Sequence, residues 1–268
     1  KGCNCMQLIT SRSNRWVKLA EQLKHRKFRD KYAQFLMEGI RSTEDIQKQQ
    51  ISDVICFFTD NATQNDRVKK IIKKGDSLHW VLLCVTESIM KAITGTENTQ
   101  GLLSIVNKKI YPHHEIRTLK GHYVLLDRIQ DPGNMGTIIR TAAAAGCKGI
   151  LLTSGCTDAY SEKAVRSSMG SILRLPIYED VKMEELLELK TRKDFTIIGT
   201  SFTNAKSYRE YTPFANGIIA FGNEGNGISE EILKLCDYSL YIPLHNNVES
   251  LNVTAAAAII LFHTEHIN

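Results

Sequence analysis

What the sequence lacks excludes several large classes of protein. Its 268 residues hold no apolar run near the roughly 20 residues of a membrane-spanning helix, and the longest, Val253 to Phe262, has about half that length. No secretory signal opens the sequence. The seven cysteines are odd in number and scattered through apolar segments, which is typical of a reducing cytosol and not of a disulfide framework. We therefore expect a cytoplasmic protein without a membrane partner.

The common signatures of metal and nucleotide binding are incomplete. Cys3-x-Cys5 and His113-His114 have no second Cys/His pair at ligand spacing, so no metal site is predicted. Gly133-Asn134-Met135-Gly136 follows an apolar run like a dinucleotide loop, but the full G-x-G-x-x-G spacing is missing. No P-loop lysine pattern occurs. Enzymes that use a nicotinamide cofactor or a nucleoside triphosphate are thereby disfavoured.

Acidic residues are scarce in the first part of the chain. The net charge is +5, yet residues 1–110 carry 19 Lys and Arg against 11 Asp and Glu, whereas residues 111–268 carry 15 against 18. A basic half suits a polyanionic partner, although a solvated basic surface explains the charge equally well. The cluster from Lys24 to Lys31, with Phe28 at its centre, is the densest basic stretch.

The apolar pattern predicts a small α/β domain over residues 1–106. Helices are expected at 14–25, at 42–49 with Ser42 as N-cap, and around Val68 and Ile71. Strands are expected at 35–39, 54–59, 80–85 and 101–106. Residues 107–120 are polar, contain Pro112 and lie where the charge balance changes, so they are predicted to be a linker.

Strands and helices alternate over residues 121–268. Strands are expected at 123–127, 149–153, 195–200, 217–221 and 238–242, and helices at 137–145, 161–169, 182–190, 229–235 and 252–266. This alternation predicts a mostly parallel sheet with helices on both faces. In such sheets ligands bind beyond the carboxyl ends of the strands.

The first motif at that edge is Asn134-x-Gly136-x-x-x-Arg140. It follows the strand at 123–127 and opens an alanine-rich helix, so an amide, a glycine and an arginine cluster where a strand leads into a helix. Arg140 comes one helical turn after Gly136 and can face the same crevice.

Two later loops offer further candidates. Gly222-Asn223-Glu224-Gly225-Asn226-Gly227 follows the strand at 217–221, and its glycines allow close backbone approach to a ligand, although an ordinary strand-to-helix turn explains it better on its own. Pro243 keeps Ile242 extended. Ser250 is a good N-cap for the last helix, which places Asn252 in its first turn, and a plain cap is again the simpler explanation.

In this order the three motifs resemble those of the SPOUT superfamily, specifically the TrmH/SpoU family of RNA ribose 2′-O-methyltransferases. The similarity covers about residues 121–266 and includes Lys163 to Gly170 and Leu175-Pro176. Phe35 to Arg41 and Thr99-Gln100-Gly101 more loosely resemble the family's N-terminal substrate-binding domain, a ribosomal-protein-like α/β unit. The chain departs from the family at Leu244 to Asn247, where members often have a glycine, and at Thr254, a position usually held by serine.

The resemblance implies a trefoil-knotted α/β methyltransferase domain that forms a homodimer, binds S-adenosylmethionine and methylates RNA, with ribosomal RNA favoured. A tRNA substrate and a non-catalytic RNA-binding factor stay open as alternatives. The implied residues fall into three groups. Catalytic residues are Arg140, Asn134, Glu224, Ser250 and Asn252; cofactor-binding residues are Thr200, Ser201, Gly222, Asn223, Gly227, Ile242, Leu244 and Leu251; RNA-binding residues are Arg26, Lys27, Arg29, Arg41 and Arg166.

Overall fold

A computed structural model of the chain describes residues 8–94, 96 and 98–265. In chain order the helices are α1 (Arg15–Leu23), α2 (Arg26–Tyr32), α3 (Ile40–Lys48), α4 (Asp66–Ser77), α5 (Glu87–Ile93), α6 (Pro132–Ala144), α7 (Glu162–Ser168), α8 (Met183–Lys190), α9 (Glu230–Leu235) and α10 (Val253–Glu265). The strands are β1 (Gln34–Glu38), β2 (Ile55–Phe58), β3 (Val81–Cys84), β4 (Leu102–Asn107), β5 (His122–Asp127), β6 (Gly149–Thr153), β7 (Ile177–Val181), β8 (Thr196–Thr200), β9 (Ala205–Ser207), β10 (Gly217–Gly222) and β11 (Tyr238–Tyr241). Short 3-10 helices lie at Asn61–Gln64, His113–Thr118, Ser171–Leu173 and Tyr208–Glu210.

The chain divides into two compact units. The first comprises the residues up to Lys109 together with Tyr160–Leu173, and the second comprises Ile110–Ala159 and the residues from Arg174 onward. The division differs from the predicted one because Tyr160–Leu173, which includes α7, belongs to the first unit. The predicted linker at 107–120 also contributes to a core, since Ile116 and Leu119 are buried in the second unit.

The first unit is built on a four-stranded sheet in the order β1-β4-β2-β3. Strand β4 runs antiparallel to β1 and β2, while β2 and β3 are parallel. Apolar side chains of α1, α5 and the strands form one buried core, in which Leu23, Phe57 and Met90 are fully enclosed. Helix α1 begins where the Asn14 side chain accepts a hydrogen bond from the Trp16 N–H.

The second unit contains a seven-stranded sheet in the order β7-β6-β5-β10-β8-β11-β9. Every neighbouring pair is parallel, as the alternation of strands and helices predicts. Tyr123 and Leu125 of β5 lie in the core that contains Leu186 of α8 and Ile232 of α9. Helices α6 and α10 pack together, and their residues Ile138 and Ile260 are buried.

The topology fixes where the motif loops meet. Strands β5, β10, β8 and β11 are consecutive in the sheet and parallel, so their carboxyl ends share one edge. The loops that follow these strands therefore emerge side by side, and they carry the three motifs.

Three helix starts differ from the prediction. Helix α6 begins at Pro132, because Asp131 accepts a hydrogen bond from the Asn134 N–H and proline fits the first helical position, so Asn134 and Gly136 lie inside the helix. Helix α10 begins at Val253. The side chain that accepts a hydrogen bond from its first turn, from the Thr254 N–H, is Asn252 and not Ser250. Helix α3 begins two residues before Ser42, with Gly39 in the N-cap position.

The described residues contain neither a membrane-spanning helix nor a cluster of metal ligands. There, no helix combines the length and the apolar character needed to cross a membrane. Within the same ranges, no three His, Cys, Asp or Glu side chains are grouped to hold a metal ion. Cys3-x-Cys5 lies outside the described residues.

Candidate functional site

A carboxylate in the loop after β10 joins this loop to the start of α6. Glu224 accepts hydrogen bonds from the backbone N–H groups of Gln130 at 3.2 Å and Asp131 at 3.3 Å. The side-chain amide of Asn134 donates to the same carboxylate at 2.9 Å. Three donors from one segment thus converge on one carboxylate, which fixes the loop after β10 against the segment that starts α6.

The environment of Glu224 favours its charged form. Partial burial of the carboxyl raises its pKa, but the hydrogen bond from Asn134 and those from the backbone N–H groups of Glu224, Gln130 and Asp131 together lower the pKa below its ordinary value of 4.5. The side chain is therefore a carboxylate at neutral pH, able to accept but not to donate hydrogen bonds.

Asn134 also reaches the segment that precedes α10. Its side-chain oxygen accepts a hydrogen bond from the amide of Asn252 at 3.5 Å. The oxygen of Asn252 in turn accepts from the N–H and the hydroxyl of Thr254, at 2.8 and 2.6 Å. A chain of polar side chains runs from Glu224 through Asn134 to Asn252, so all three sequence motifs meet in one hydrogen-bonded network.

The loop from Asn223 to Gly227 is closed on itself. The backbones of Asn223 and Gly227 exchange two hydrogen bonds, at 3.0 and 2.8 Å. The Asn223 side chain donates to the Arg128 carbonyl at 2.9 Å and accepts from the N–H groups of Gly225 and Asn226. A Cβ on Gly222 would overlap the backbone of Gly227, whereas Gly227, at φ +66°, has open space where its side chain would be.

Asp127 is a functional candidate that the sequence analysis missed. It ends β5, is 2% exposed, and accepts hydrogen bonds from the Ser229 N–H at 2.7 Å and the Thr153 hydroxyl at 3.0 Å. Its ion pair with Arg128 spans 3.3 Å, and Arg128 has a positive φ of 55°. Through the Ser229 N–H, the Asp127 carboxylate fixes the end of the loop between β10 and α9. An aspartate ending an apolar strand was the signal for it, as Asp131-Pro132 was for the start of α6.

The predicted cofactor-binding residues lie along the same edge. Thr200 ends β8, and its hydroxyl donates to the Ala220 carbonyl on the neighbouring strand at 2.9 Å, while Ser201 follows with its N–H bonded to the Leu240 carbonyl. Ile242 and Leu244 are half-buried after β11, and Leu251 is partly exposed before α10. The edge therefore carries an apolar surface beside backbone groups.

Two predicted catalytic residues lie outside the network. Arg140 is exposed and makes no hydrogen bond or ion pair with any described residue. It lies six residues after Asn134, which is roughly 9 Å along the axis of α6 and about 120° around it. Ser250 is also exposed, and its side chain has no hydrogen bond within the described ranges. Their predicted roles stay predictions.

The residues predicted to bind RNA belong to the first unit. Arg26, Lys27, Arg41 and Arg166 are exposed. Arg29 is 5% exposed, and its guanidinium donates to the carbonyls of Leu23 at 2.7 Å and Lys24 at 2.8 Å. Arg29 thus binds the last carbonyls of α1, which gives it a structural role, and its predicted role in RNA binding stays a prediction.

Family models match both parts of the chain. Residues 121–262 match the model described as SpoU rRNA Methylase family. Residues 14–104 match the model described as MRM3-like substrate binding domain. The two matched ranges carry, respectively, the hydrogen-bonded network and most of the basic first unit.

Individual relatives match nine tenths or more of the chain. The 23S rRNA (guanosine(2553)-2'-O)-methyltransferase RlmP of Bacillus subtilis (strain 168) is 31% identical over 96% of this chain and 99% of its own. The mitochondrial rRNA methyltransferase 3 of Mus musculus is 28% identical over 90% of this chain and 69% of its own. The crystal structure of an AdoMet-bound rRNA methyltransferase from Sinorhizobium meliloti superposes with a TM-score of 0.85 at 28% identity, covering 97% of this chain and 98% of that one.

Proposed function

Because the chain belongs to the SpoU rRNA methylase family, we propose that it transfers a methyl group from S-adenosylmethionine to a ribose 2′-hydroxyl of RNA. The observation that carries this proposal is the network of Glu224, Asn134 and Asn252. It brings three motifs, far apart in sequence, to the sheet edge where parallel α/β folds bind ligands. A relative of the same length is named as an enzyme of this activity.

The residues present fit S-adenosylmethionine. The open space beside Gly227 and the half-buried Ile242 and Leu244 provide an apolar surface for an adenine ring, with backbone groups at hand for its polar edge. We assign cofactor contacts to the backbones of Gly222, Ile242 and Leu251, with Thr200, Ser201 and Asn223 shaping the walls. When bound, S-adenosylmethionine supplies a methyl group activated by its sulfonium.

The 2′-oxygen would take this methyl group in an in-line displacement, with S-adenosylhomocysteine as the leaving group and the hydroxyl proton passing to water. The protein's task is to align the 2′-oxygen and to favour the charge that develops on it. Asn134 and Asn252, held by Glu224, offer amide groups whose orientation is fixed in advance. Ser250, exposed next to Asn252, is assigned to the same task.

Arg140 is assigned to the 2′-hydroxyl and the adjacent phosphate. A guanidinium group stays protonated in proteins, so its role is to stabilise developing negative charge and to orient the phosphate by a two-pronged hydrogen bond. Arg140 is exposed and has no partner among the described residues, so its guanidinium is available for this contact.

Three further properties are part of the proposal. Helix α10 exposes an apolar stripe, Ala255, Ile259 and Phe262, at the spacing of one helix face, which supports a homodimer. The family resemblance supports a trefoil knot, which is otherwise almost absent from proteins. Five described cysteines are free thiols, which supports a reducing, cytoplasmic location.

Ribosomal RNA is the proposed substrate, because the similar RlmP and rRNA methyltransferase 3 are both named for it. The test uses tritiated S-adenosylmethionine with unmodified ribosomal RNA or tRNA, followed by alkaline hydrolysis, to which a 2′-O-methylated linkage is resistant. Label in alkali-resistant dinucleotides of ribosomal RNA is expected. Label confined to tRNA would support the alternative substrate.

Arg140 variants complete the test. Arg140→Ala should reduce methyl transfer by roughly 100-fold or more, and Arg140→Lys should not restore it, because lysine lacks the planar fork. Calorimetry with S-adenosylmethionine should give unchanged binding for both variants. A chain that neither binds the cofactor nor labels any RNA would be the non-catalytic RNA-binding factor instead.

A further inference from the structure

The first unit contains a cleft in which two arginines form no hydrogen bond or ion pair with any described residue. The cleft is lined by Glu38, Arg41, Arg67, Gln100, Arg166 and Met169, from β1, α3, α4, the loop before β4 and the region of α7. Arg67 is occupied, since its guanidinium forms two hydrogen bonds to the Glu44 carboxylate at 2.7 and 2.8 Å.

Arg41 and Arg166 are different from Arg67. Both are exposed, and neither forms a hydrogen bond or ion pair with a residue in the ranges 8–94, 96 and 98–265. The pKa of Glu44 is lowered first by its hydrogen bond from Arg67, and Arg41 adds only a weaker effect of charge. Glu38, the acidic residue of the lining, accepts a hydrogen bond from Thr96. The cleft thus presents two available guanidinium groups to an anion.

Gln100 adds a donor whose direction is fixed. Its side-chain oxygen accepts the Ile40 N–H at 2.9 Å, so its NH₂ group is left to donate. Gly39 makes this possible, because a Cβ there would lie 3.0 Å from the same oxygen and because its φ is +94°. The residues of the first unit that resemble the substrate-binding domain, Glu38 to Arg41 and Gln100, therefore form one wall of the cleft.

The opposite wall is held in place by Gly170. A Cβ on this residue, whose φ is +80°, would overlap the Asp45 carboxylate on α3, so only glycine allows the chain to leave α7 so close to α3. Met169, just before it, is 45% exposed at the rim of the cleft. In the deeper part that shares Glu38 and Arg166, Leu103 and Val165 are buried and apolar.

From these contacts we infer that the cleft binds one unpaired nucleotide of the substrate RNA, with its phosphate between Arg41 and Arg166, its base against Met169, and an acceptor atom of the base on the Gln100 amide. This inference rests on the proposed function and adds a recognition site apart from methyl transfer. The two guanidinium groups and the Gln100 amide are donors, which match phosphate and base acceptors, and the apolar surface matches a base face. A base inside a duplex is not accessible to such a cleft.

The binding test measures fluorescence anisotropy with a fluorescein-labelled single-stranded RNA of mixed sequence and with its perfect duplex. The double variant Arg41→Ala/Arg166→Ala should weaken single-strand binding by about tenfold or more. It should also reduce the slope of log affinity against log salt by about 0.7, because the two arginines share one phosphate. Lys48→Ala is the matched control, because it removes one charge from the same helix α3 and should change affinity less than about twofold.

Two further variants test the contacts to the base. Gln100→Glu keeps the oxygen that Ile40 needs but replaces the donor with an acceptor, so it should weaken single-strand binding while the protein stays folded by circular dichroism. Met169→Ala should reduce the affinity difference between intact RNA and RNA with a single abasic position. Equal losses on single strand and duplex, or a double variant no weaker than Lys48→Ala, would overturn the inference.

Failure of this inference is distinguishable from failure of the proposed function. All cleft variants should bind S-adenosylmethionine like the unchanged protein in calorimetry, because the assigned cofactor contacts lie in the second unit. If the double variant methylated ribosomal RNA at the normal rate, the inference about the cleft would be refuted and the proposed function would stand. If the unchanged protein bound single-stranded RNA through the cleft but methylated no RNA, the proposed function would be refuted and the inference about the cleft would stand.

Discussion

Asn134 and Glu224 are joined by a hydrogen bond of 2.9 Å from the side-chain amide to the carboxylate. This bond connects the first turn of α6 to the loop after β10, two elements that are ninety positions apart in the chain. Both ends of the Asn134 amide are engaged in this arrangement, since its oxygen accepts a hydrogen bond from Asn252. The orientation of its amide is therefore set by both neighbours.

Replacing Asn134 by aspartate should disable methyl transfer. Asn134→Asp places a second carboxylate against Glu224 and removes the donor between them, so the network should separate. We expect turnover to fall by roughly 100-fold, the scale of losing one fixed donor in an active site. Single-turnover methylation of RNA measures it. Asn226→Asp, a change of the same charge in the exposed part of the β10 loop, should retain activity; equal losses in both variants would contradict this role for Asn134.

Glu224 should make stability depend on pH in the acidic range. Its pKa is lowered in the folded protein, because its hydrogen bonds favour the carboxylate. The stabilisation is therefore complete above the ordinary value of 4.5 and is lost as pH falls through the lower pKa of the folded state. Glu224→Gln should lower the free energy of unfolding by about 1 kcal/mol at neutral pH.

Urea denaturation over a pH series checks this linkage. The difference in unfolding free energy between the unchanged protein and Glu224→Gln should stay constant at neutral pH and shrink below pH 4.5. Glu184→Gln, an exposed carboxylate on α8, should show no such trend. A difference that grows on acidification would mean that the sign of the pKa shift is wrong.

Gly222 and Gly225 should respond very differently to the same substitution. A Cβ on Gly222 would overlap the backbone of Gly227 and Ile228, which has no flexible atom to move aside. Gly222→Ala should therefore destabilise the protein by about 1–3 kcal/mol and weaken the binding of S-adenosylmethionine. A Cβ on Gly225 would meet only the Asn223 side chain, at 3.6 Å, so Gly225→Ala should cost less than about 0.5 kcal/mol. Thermal denaturation and calorimetry compare the two, and similar losses would rule out the steric explanation.

The apolar stripe of α10 should determine the oligomeric state. Ile259→Arg puts a charge in the middle of the stripe, so we expect a dimer of the unchanged protein to become a monomer in light scattering after size-exclusion chromatography. Leu187→Arg is the control, because Leu187 is an exposed leucine on α8, 48% accessible, outside the stripe. A monomer of the unchanged protein at all concentrations would remove the homodimer from the proposal.

The sequence predicted the second unit best where apolar runs are long. Strands β5, β6, β8, β10 and β11 fall at their expected places, and their order in the chain already indicated a parallel sheet. Strands β7 and β9 were missed, because Glu179 and Asp180 interrupt the first and the second has only three residues. Helix α2 was missed as well, since its seven residues are mostly charged and bury only Arg29.

For the site, motif spacing predicted which loops matter but not which atoms meet. Asn134, Glu224 and Asn252 were all named from their motifs, yet the hydrogen bonds between them depend on the neighbouring order of β5, β10, β8 and β11, which is a long-range property of the sheet. Arg29 shows a second limit of the sequence: a basic cluster gives the charge of a side chain but not its burial, and this guanidinium donates hydrogen bonds to the backbone of α1.

The segment Tyr160–Leu173 has a consequence for how the protein is made. During synthesis the chain leaves the ribosome from its N-terminus, so β1 is exposed long before Tyr160, whose ring lies 5.0 Å from that of Phe35, has been translated. The first unit cannot complete its core until much of the second has already emerged. Cutting the gene after Lys109 would therefore yield an N-terminal fragment without one of its own helices, and a C-terminal fragment carrying a helix that belongs elsewhere.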